Sequence, residues 1–392
     1  MLVEPRRLGH VGETNGSGPA ALVEPVPALG REQLERAQRQ LPLPGFGELA
    51  QRRLRAARVL AIGAGGLGSA SVPYLAGAGV GTIGIVDDDV VEISNLHRQV
   101  AHGIADIGRP KTASLADRVR ETDRAVTVHE HRHRLTAANA LDVFREYDLV
   151  IDGSDNFPTR YLANDAAQLL DKPLVWGAIL QYQGQVGVAW HRHGPGYRDL
   201  FPAPPAPEDV IDCAGGGVLP GLCGTVGSLL ATEAMKLITG LGDPLLGRVL
   251  VYDSLTARTR EILYGRDPEA APVTELIDYE AFCAGADGPA SVSAAEAIEL
   301  LRGPDAPVLL DVRTREERRG RRIPGALSVP LDELEQRLSE FTGPVLVHCE
   351  RGPRSVRASR LLESVAQPRY VQGGIDALAR LAPELLEEEP AS

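Results

Sequence analysis

Two stretches of this chain carry residue types at a spacing that suits chemistry. The first begins with an apolar run, VLAI from Val59, that enters a glycine cluster at Gly63, Gly65, Gly66 and Gly68. A second apolar run, IGIV, ends at Asp87. Glycines at such a turn let the N–H groups of a following helix close around a phosphate, and a carboxylate about 20 residues later suits a ribose hydroxyl. Ser94, Asn95, Arg98 and Lys111 add polar and cationic groups, and Asp155 with Asn156 follows a third apolar run. A dinucleotide leaves those cations and Asp155 without a task. A triphosphate that loses pyrophosphate needs cations for the leaving charge and a carboxylate for Mg²⁺. The second stretch is the loop Cys349, Glu350, Arg351, Gly352, Pro353 and Arg354, delivered by the apolar run 345–348. A thiol at the mouth of a helix N-terminus, among N–H groups and arginines, is favoured as thiolate, and the same cradle holds a persulfide anion.

A second nucleophile candidate, Cys213, lies in VIDCAGGG behind a proline-laden segment, 201–213, which reads as a long functional loop. Its glycine-rich flank suits a thiol that must travel, and the bland reading is a small buried hydrophobe. Cys223 and Cys283 read as structural thiols, since neither falls in a turn that would expose it.

The elements that must hold these residues alternate as strand and helix, which predicts an α/β fold with a parallel sheet. Strands are expected at 59–63, 82–87, 126–129, 149–152 and 174–178, with helices at 66–78, 111–121, 137–146, 159–170 and 224–238. Antiparallel strands at 185–190, 248–252 and 258–263 close one end. Residues 1–30 lack a hydrophobic period and read as a mobile tail, 31–265 as the nucleotide domain, 266–290 as a linker, and 291–392 as a second αβ unit.

Composition narrows the class. A net charge of −12 and few aromatic residues argue against a nucleic-acid binder. No run is long and apolar enough for a membrane span, and the N-terminal residues lack a secretory pattern. With four irregularly spaced cysteines the expectation is reduced thiols in a cytoplasm.

These motifs resemble the bacterial molybdopterin-synthase and thiamine-pathway adenylyltransferases, relatives of the ubiquitin-activating enzymes, from about Arg39 to Leu263. The resemblance implies a Rossmann-like adenylation domain with a mixed sheet. By it Gly66, Asp87 and Ser94 contact ATP, Asp87 through the ribose, while Asn95, Arg98 and Lys111 contact the phosphates. Asp155 binds Mg²⁺, with Asn156 beside it. Arg39 in RQLPLPGFG matches an arginine that the family supplies from the partner subunit, which implies a homodimer. Cys213 matches a crossover-loop cysteine that forms a thioester or persulfide linkage to the carrier protein. From Ser291 to about Leu381 the chain resembles a small α/β rhodanese domain, through LLDVR, RIPGA, QGGIDAL and the six-position loop from Cys349 to Arg354. Cys349 would then carry the transferable sulfur.

The combined expectation is adenylation of the C-terminal glycine of a ubiquitin-like sulfur carrier ending in Gly-Gly, followed by thiocarboxylate formation. The sulfur donor would be thiosulfate or a cysteine desulfurase. Similar proteins serve molybdopterin, thiamine, cysteine and tRNA-thiolation routes. Open alternatives are a stand-alone thiosulfate sulfurtransferase with a degenerate nucleotide half, a dehydrogenase using the same glycines, and a non-catalytic docking scaffold.

The chain departs from its relatives at the two C-x-x-C pairs that hold structural zinc in many of them. The positions 196–199 and 271–274 read Gly-Tyr-Arg-Asp and Ala-Pro-Val-Thr. That set lacks thiolate and imidazole donors, so no zinc is expected. His129, His131 and His133 alternate on one strand and read as a solvated edge. The basic run Arg318, Arg319, Arg321 and Arg322 could attract an acidic carrier protein but reads rather as a solvated loop that offsets the acidic C-terminal residues.

Overall fold

The computed structural model describes residues 20–205, 216–270, 272–284, 289–304, 306–350 and 352–388. Near-continuous apolar runs become strands buried on both faces, as parallel sheets require. β1 (Arg58–Ile62) and β2 (Thr82–Val86) are each buried at every position but the first, and β4 (Leu149–Asp152) is buried throughout. β3 (Thr127–His131) flanks β2, and β5 (Leu174–Leu180) flanks β4. β6 (Gln183–Ala189), β7 (Arg248–Asp253) and β8 (Arg258–Leu263) then pair antiparallel. The result is a mixed sheet of eight strands in the order β3-β2-β1-β4-β5-β6-β7-β8. Helices Gly68–Ala78 and Pro220–Thr239 supply much of its core, including Leu75, Leu222, Val226 and Leu230, all fully buried.

The polypeptide divides into two compact units. The second holds β9 (Ser291–Val292), β10 (Val308–Asp311), β12 (Leu327–Ser328), β13 (Pro344–His348) and β14 (Gln367–Val371). These five strands run parallel in the order β12-β10-β13-β14-β9. β11 (Arg321–Arg322) pairs antiparallel with β15 (Glu387–Glu388).

The structure revises several expectations. The helix expected from Gly66 begins at Gly68, because the intervening residues form the tight turn beneath it. The helix expected from Gly224 begins at Pro220, a residue favoured at the first helical position because its missing N–H is not needed there. Of the expected tail, residues 21–26 lie against the core. The Leu22 N–H donates to the Leu237 carbonyl, and Leu22 and Val23 pack on the apolar cluster. Within the expected linker a helix forms at Tyr279–Ala284. Among the described residues no helix is long and apolar enough to cross a membrane.

Two candidate reaction centres

In the first unit, the turn 63–68 joins β1 to the helix Gly68–Ala78, and it is tight enough that a Cβ on Gly68 would lie 1.9 Å from the Gly63 carbonyl oxygen. Asp87, just past β2, braces this turn: its Oδ2 accepts the Ala64 N–H at 2.8 Å and its Oδ1 accepts the Asp89 N–H at 2.8 Å. Burial raises its pKa from 3.8 to about 6, against the pull of the Lys111 charge. A carboxylate offers about four lone-pair sites, so two remain for a ligand hydroxyl.

His102, which sequence reasoning passed over, holds the other side of the turn. Its Nε2 lies 2.9 Å from the Ala64 carbonyl and its Nδ1 lies 2.8 Å from Ser114 Oγ. Burial lowers its pKa, so the neutral ring donates from Nε2 and accepts at Nδ1.

Lys111 opens the helix Lys111–Thr122 and is buried, with Nζ 2.9 Å from Asp89 Oδ2. It is therefore a held ammonium, not a solvated one. Asp89 was also missed, although the run Asp87-Asp88-Asp89 ahead of a lysine was visible. The segment 92–98 folds as a tight turn: Asn95 Oδ1 accepts the Glu92 N–H at 3.1 Å, Ser94 Oγ donates to Glu92 at 3.1 Å, and Arg98 Nη1 donates to the Ser94 carbonyl at 3.2 Å.

The end of β4 lies against the same turn, where a Cβ on Gly63 would fall 3.2 Å from the Gly153 carbonyl oxygen. Asp152 is fully buried; its Oδ1 accepts the Ser154 N–H at 2.9 Å, and its Oδ2 has no hydrogen-bond partner among the described residues. Asp155 is exposed. Asn156 caps the helix Phe157–Leu169, its Oδ1 accepting the Thr159 N–H at 2.9 Å, so this member of the expected pair has a structural task of its own.

Cys223, read from sequence as a structural thiol, packs under the glycine turn. A Cβ on Gly66 would lie 2.9 Å from its Sγ. Arg39 sits exposed in the short turn Ala37–Arg39. Cys213 lies outside the described residues.

A glycine turn that admits no Cβ at Gly68, a buried lysine and an exposed carboxylate at a strand end fit a nucleotide triphosphate with a hard divalent cation. Asp155 offers the oxygen donor Mg²⁺ prefers, and Arg98 and Lys111 are cations in the same unit.

In the second unit, β13 delivers Cys349 to the helix Pro353–Leu362. The Gly352 N–H donates to Cys349 Sγ at 3.1 Å, and the Ile375 N–H to the Cys349 carbonyl at 2.8 Å. Of the loop arginines expected beside the thiol, Arg354 is engaged by a carboxylate, as are Arg313 and Arg321 nearby. Arg354 forms a two-pronged pair with Glu317 at 2.7 and 2.6 Å, Arg313 reaches Glu350 at 2.9 Å, and Arg321 bonds both Glu350 and Asp376. Burial works to raise the Glu317 pKa, but the Arg354 bonds outweigh it and bring it down to about 2. Arg313 also binds Asp311 through two nitrogens, at 3.0 and 2.9 Å, with both side chains buried. The adjacent His348 is buried, and desolvation lowers its pKa to about 4. Arg351 lies outside the described residues.

The remaining sequence candidates resolve as follows. His131 is corrected from a solvated edge: its Nε2 lies 2.8 Å from the Tyr147 hydroxyl, which also approaches His129. In the basic run, Arg318 donates to the Ala326 carbonyl at 2.8 Å and Arg322 pairs with Glu387 at 3.0 Å. At positions 196–199, Arg198 forms a two-pronged pair with Asp165 at 2.7 Å, and Asp199 accepts the Gly196 and Asp267 N–H groups at 2.6 and 2.9 Å. Those side chains are therefore committed to protein partners.

The model of the ThiF family matches residues 37–272. A probable adenylyltransferase/sulfurtransferase MoeZ of Mycobacterium tuberculosis is 45% identical over 377 residues, spanning 92% of this chain and 96% of the relative. The chain belongs to the ThiF family. In this ThiF chain the rhodanese-like domain model matches residues 293–381. The adenylyltransferase and sulfurtransferase MOCS3 of Bos taurus is 40% identical over 409 residues, covering 94% of this chain and 90% of the relative. A sulfur carrier protein adenylyltransferase of Thermus thermophilus is 49% identical over 265 residues, 64% of this chain and 97% of the relative. The fold also matches E. coli MccB with ATP, at a TM-score of 0.54 and 19% identity over 62% of this chain and 74% of that one. The ThiF chain is accordingly an enzyme that joins adenylyltransferase and sulfurtransferase activities, and a degenerate nucleotide half is not favoured.

Proposed function

We propose that the first unit binds ATP between the glycine turn and the Asp155 strand end and adenylates the C-terminal glycine of a ubiquitin-like carrier ending in Gly-Gly. Asp87 takes the ribose hydroxyl, and Arg98 and Lys111 hold the triphosphate. Mg²⁺, bound at Asp155, would offset negative charge on the phosphates. The carrier carboxylate attacks the α-phosphorus, the bond to the β-phosphate oxygen breaks, and pyrophosphate leaves. The acyl-adenylate then has AMP as its leaving group, which a free carboxylate lacks.

Cys349 carries the second half of the reaction. Its thiolate takes a sulfane sulfur from thiosulfate, releasing sulfite, or from a desulfurase persulfide, releasing that enzyme's thiol. The terminal sulfur attacks the acyl carbon, AMP departs, and an acyl disulfide to Cys349 forms. Cys213 then attacks the Cys349 sulfur, which frees the carrier thiocarboxylate and leaves a disulfide for a thiol reductant to open. In the alternative order Cys213 first displaces AMP as a thioester, and the persulfide then displaces Cys213 to give the same acyl disulfide on Cys349, which the freed Cys213 thiolate resolves as above. Arg39 would complete the nucleotide site of a second copy, making the enzyme a homodimer with units at 31–265 and 291–392. One observation carries this reading: a single chain holds both a glycine turn braced by Asp87 and His102 beside a buried Lys111, and a Cys349 loop that retains its nucleophile. The test is ATP–pyrophosphate exchange with Gly-Gly-ended carriers and mass detection of the carrier thiocarboxylate. Absence of exchange with every such carrier would overturn it.

A further inference from the structure

The loop 152–156 is held from behind by a buried guanidinium that no step above uses. Arg160, in the helix Phe157–Leu169, is only 6% exposed. Its Nη2 donates to the Ser154 carbonyl at 2.8 Å, one residue before Asp155. Its side chain is also hydrogen-bonded to that of Tyr197, and its charge is stabilised by those of Asp152 and Asp155. Tyr197 is itself locked. Its N–H donates to Asn164 Oδ1 at 2.9 Å, and its ring meets Tyr161 and Trp176 edge-on at centroid distances of 5.5 and 5.2 Å. The adjoining Arg198–Asp165 and Asp199–Asp267 bonds tie the same turn to two further segments.

A chain of buried contacts therefore runs from the turn 196–199, where relatives with C-x-x-C pairs place a metal ligand set, to the carbonyl beside Asp155. The donor set here does not suit zinc: Arg198 and Asp199 are bound to protein groups, and Gly196 offers no side chain. From this juxtaposition we infer that Arg160 is a positioning residue for Asp155, and that Tyr197 in the polar and aromatic clamp of the turn 196–199 holds Arg160 in place. The inference rests on the nucleotide reading above. Its physical basis is that a buried guanidinium has one low-energy place when a backbone carbonyl, a phenol oxygen and two carboxylate charges surround it. The Ser154 carbonyl is one of them, so the turn displaying Asp155 inherits that rigidity.

Tyr197→Phe keeps the ring contacts and removes only the oxygen. Arg160→Lys keeps the charge and loses the fork that spans Ser154 and Tyr197. Two measurements on the full-length protein test the idea. The first is hydrogen exchange of the Ser154 to Asn156 amides without nucleotide. Both variants should speed it by roughly ten-fold, the effect of losing one charge-assisted bond. The second is carrier-dependent ATP–pyrophosphate exchange. The KM for Mg-ATP and the Mg²⁺ needed for half-maximal rate should rise by a similar factor while kcat changes little. The retained kcat shows that the first unit of each variant folds, and persulfide loading of Cys349 in the second unit, measured by mass, should be unchanged. Wild-type exchange kinetics with Tyr197→Phe at the wild-type KM and unaltered amide exchange would overturn this inference alone. A wild-type protein without exchange activity would overturn the nucleotide reading and this inference with it.

Discussion

Gly66→Ala gives a sharp test of how the nucleotide turn is built. The added methyl would lie 2.9 Å from Cys223 Sγ and 3.7 Å from Cys223 Cβ, and the Ile179 Cδ1 lies 3.9 Å away. Comfortable contacts between such atoms fall at about 3.5–4.0 Å, so the sulfur contact is short by roughly 0.6–1.1 Å. Cys223 is 1% exposed on the helix Pro220–Thr239 and has little room to retreat, so the turn must move instead. Overpacking of this kind costs about 1–3 kcal/mol, and with the turn as the proposed phosphate cradle part of that cost should appear as weaker ATP binding. Cys223→Ala removes the sulfur. In that background the alanine at position 66 meets only ordinary contacts, and the double variant should recover about 1–2 kcal/mol relative to the sum of the singles. Denaturant titration followed by a signal from the first unit, with ATP affinity by calorimetry, provides both numbers. A Gly66→Ala penalty of the same size with and without Cys223 would refute the reasoning and place the cost in the backbone of the turn.

Three other outcomes follow from the geometry. Cys349→Ala should abolish persulfide loading and thiocarboxylate formation while leaving ATP–pyrophosphate exchange at the wild-type rate; a parallel loss of exchange would contradict the division of labour. Asp87 has a folded pKa of about 6, above its usual 3.8, so its ionised form is disfavoured in the fold. The stability associated with its protonated form is complete at low pH and falls as pH rises from about 4 through 6. A ribose hydroxyl needs the carboxylate as acceptor, so ATP affinity should climb over the upper part of that window, and Asp87→Asn should flatten the profile. Glu317 has the opposite sign: its pKa of about 2 lies below the usual 4.5, so its contribution is present above about 4.5 and lost as pH falls toward 2. With the Arg354 and Glu317 side chains 27% and 33% exposed, the solvent-discounted worth is about 1–2 kcal/mol. Glu317→Gln should remove that acid-limb slope in the unfolding of the second unit, and an unchanged slope would show the pair to be energetically idle.

Strand and helix alternation was legible because buried parallel strands are written as unbroken apolar runs, as in 59–62 and 82–86. Element ends were less so, since Pro220 as a helix start and the turn before Gly68 are set by where neighbouring segments dock. The site residues near the glycine turn were visible as types at a spacing. Their partners were not. Asp89, His102 and Arg160 act through contacts with residues that are distant in sequence, such as the 38-residue separation between His102 and Ala64. Periodicity and motif spacing carry no signal for a bond of that kind. The arginines near Cys349 illustrate the same limit, because a sequence shows a cation but not the carboxylate that occupies it, as Glu317 occupies Arg354.

What the order of amino acids determined by itself was the local chemistry: glycines where a backbone must close on phosphate, a cysteine where a strand meets a helix, and the loss of thiolates at 196–199. Only the tertiary structure decided which charges are held and by what, because pairing depends on burial and distance. Lys111 became a buried ammonium on Asp89, Asn156 became a helix cap, and Cys223 became the wall behind Gly66. Those assignments arise when segments far apart along the chain are packed into one low-dielectric interior, where each buried polar group must find its partner among whatever the fold brings near.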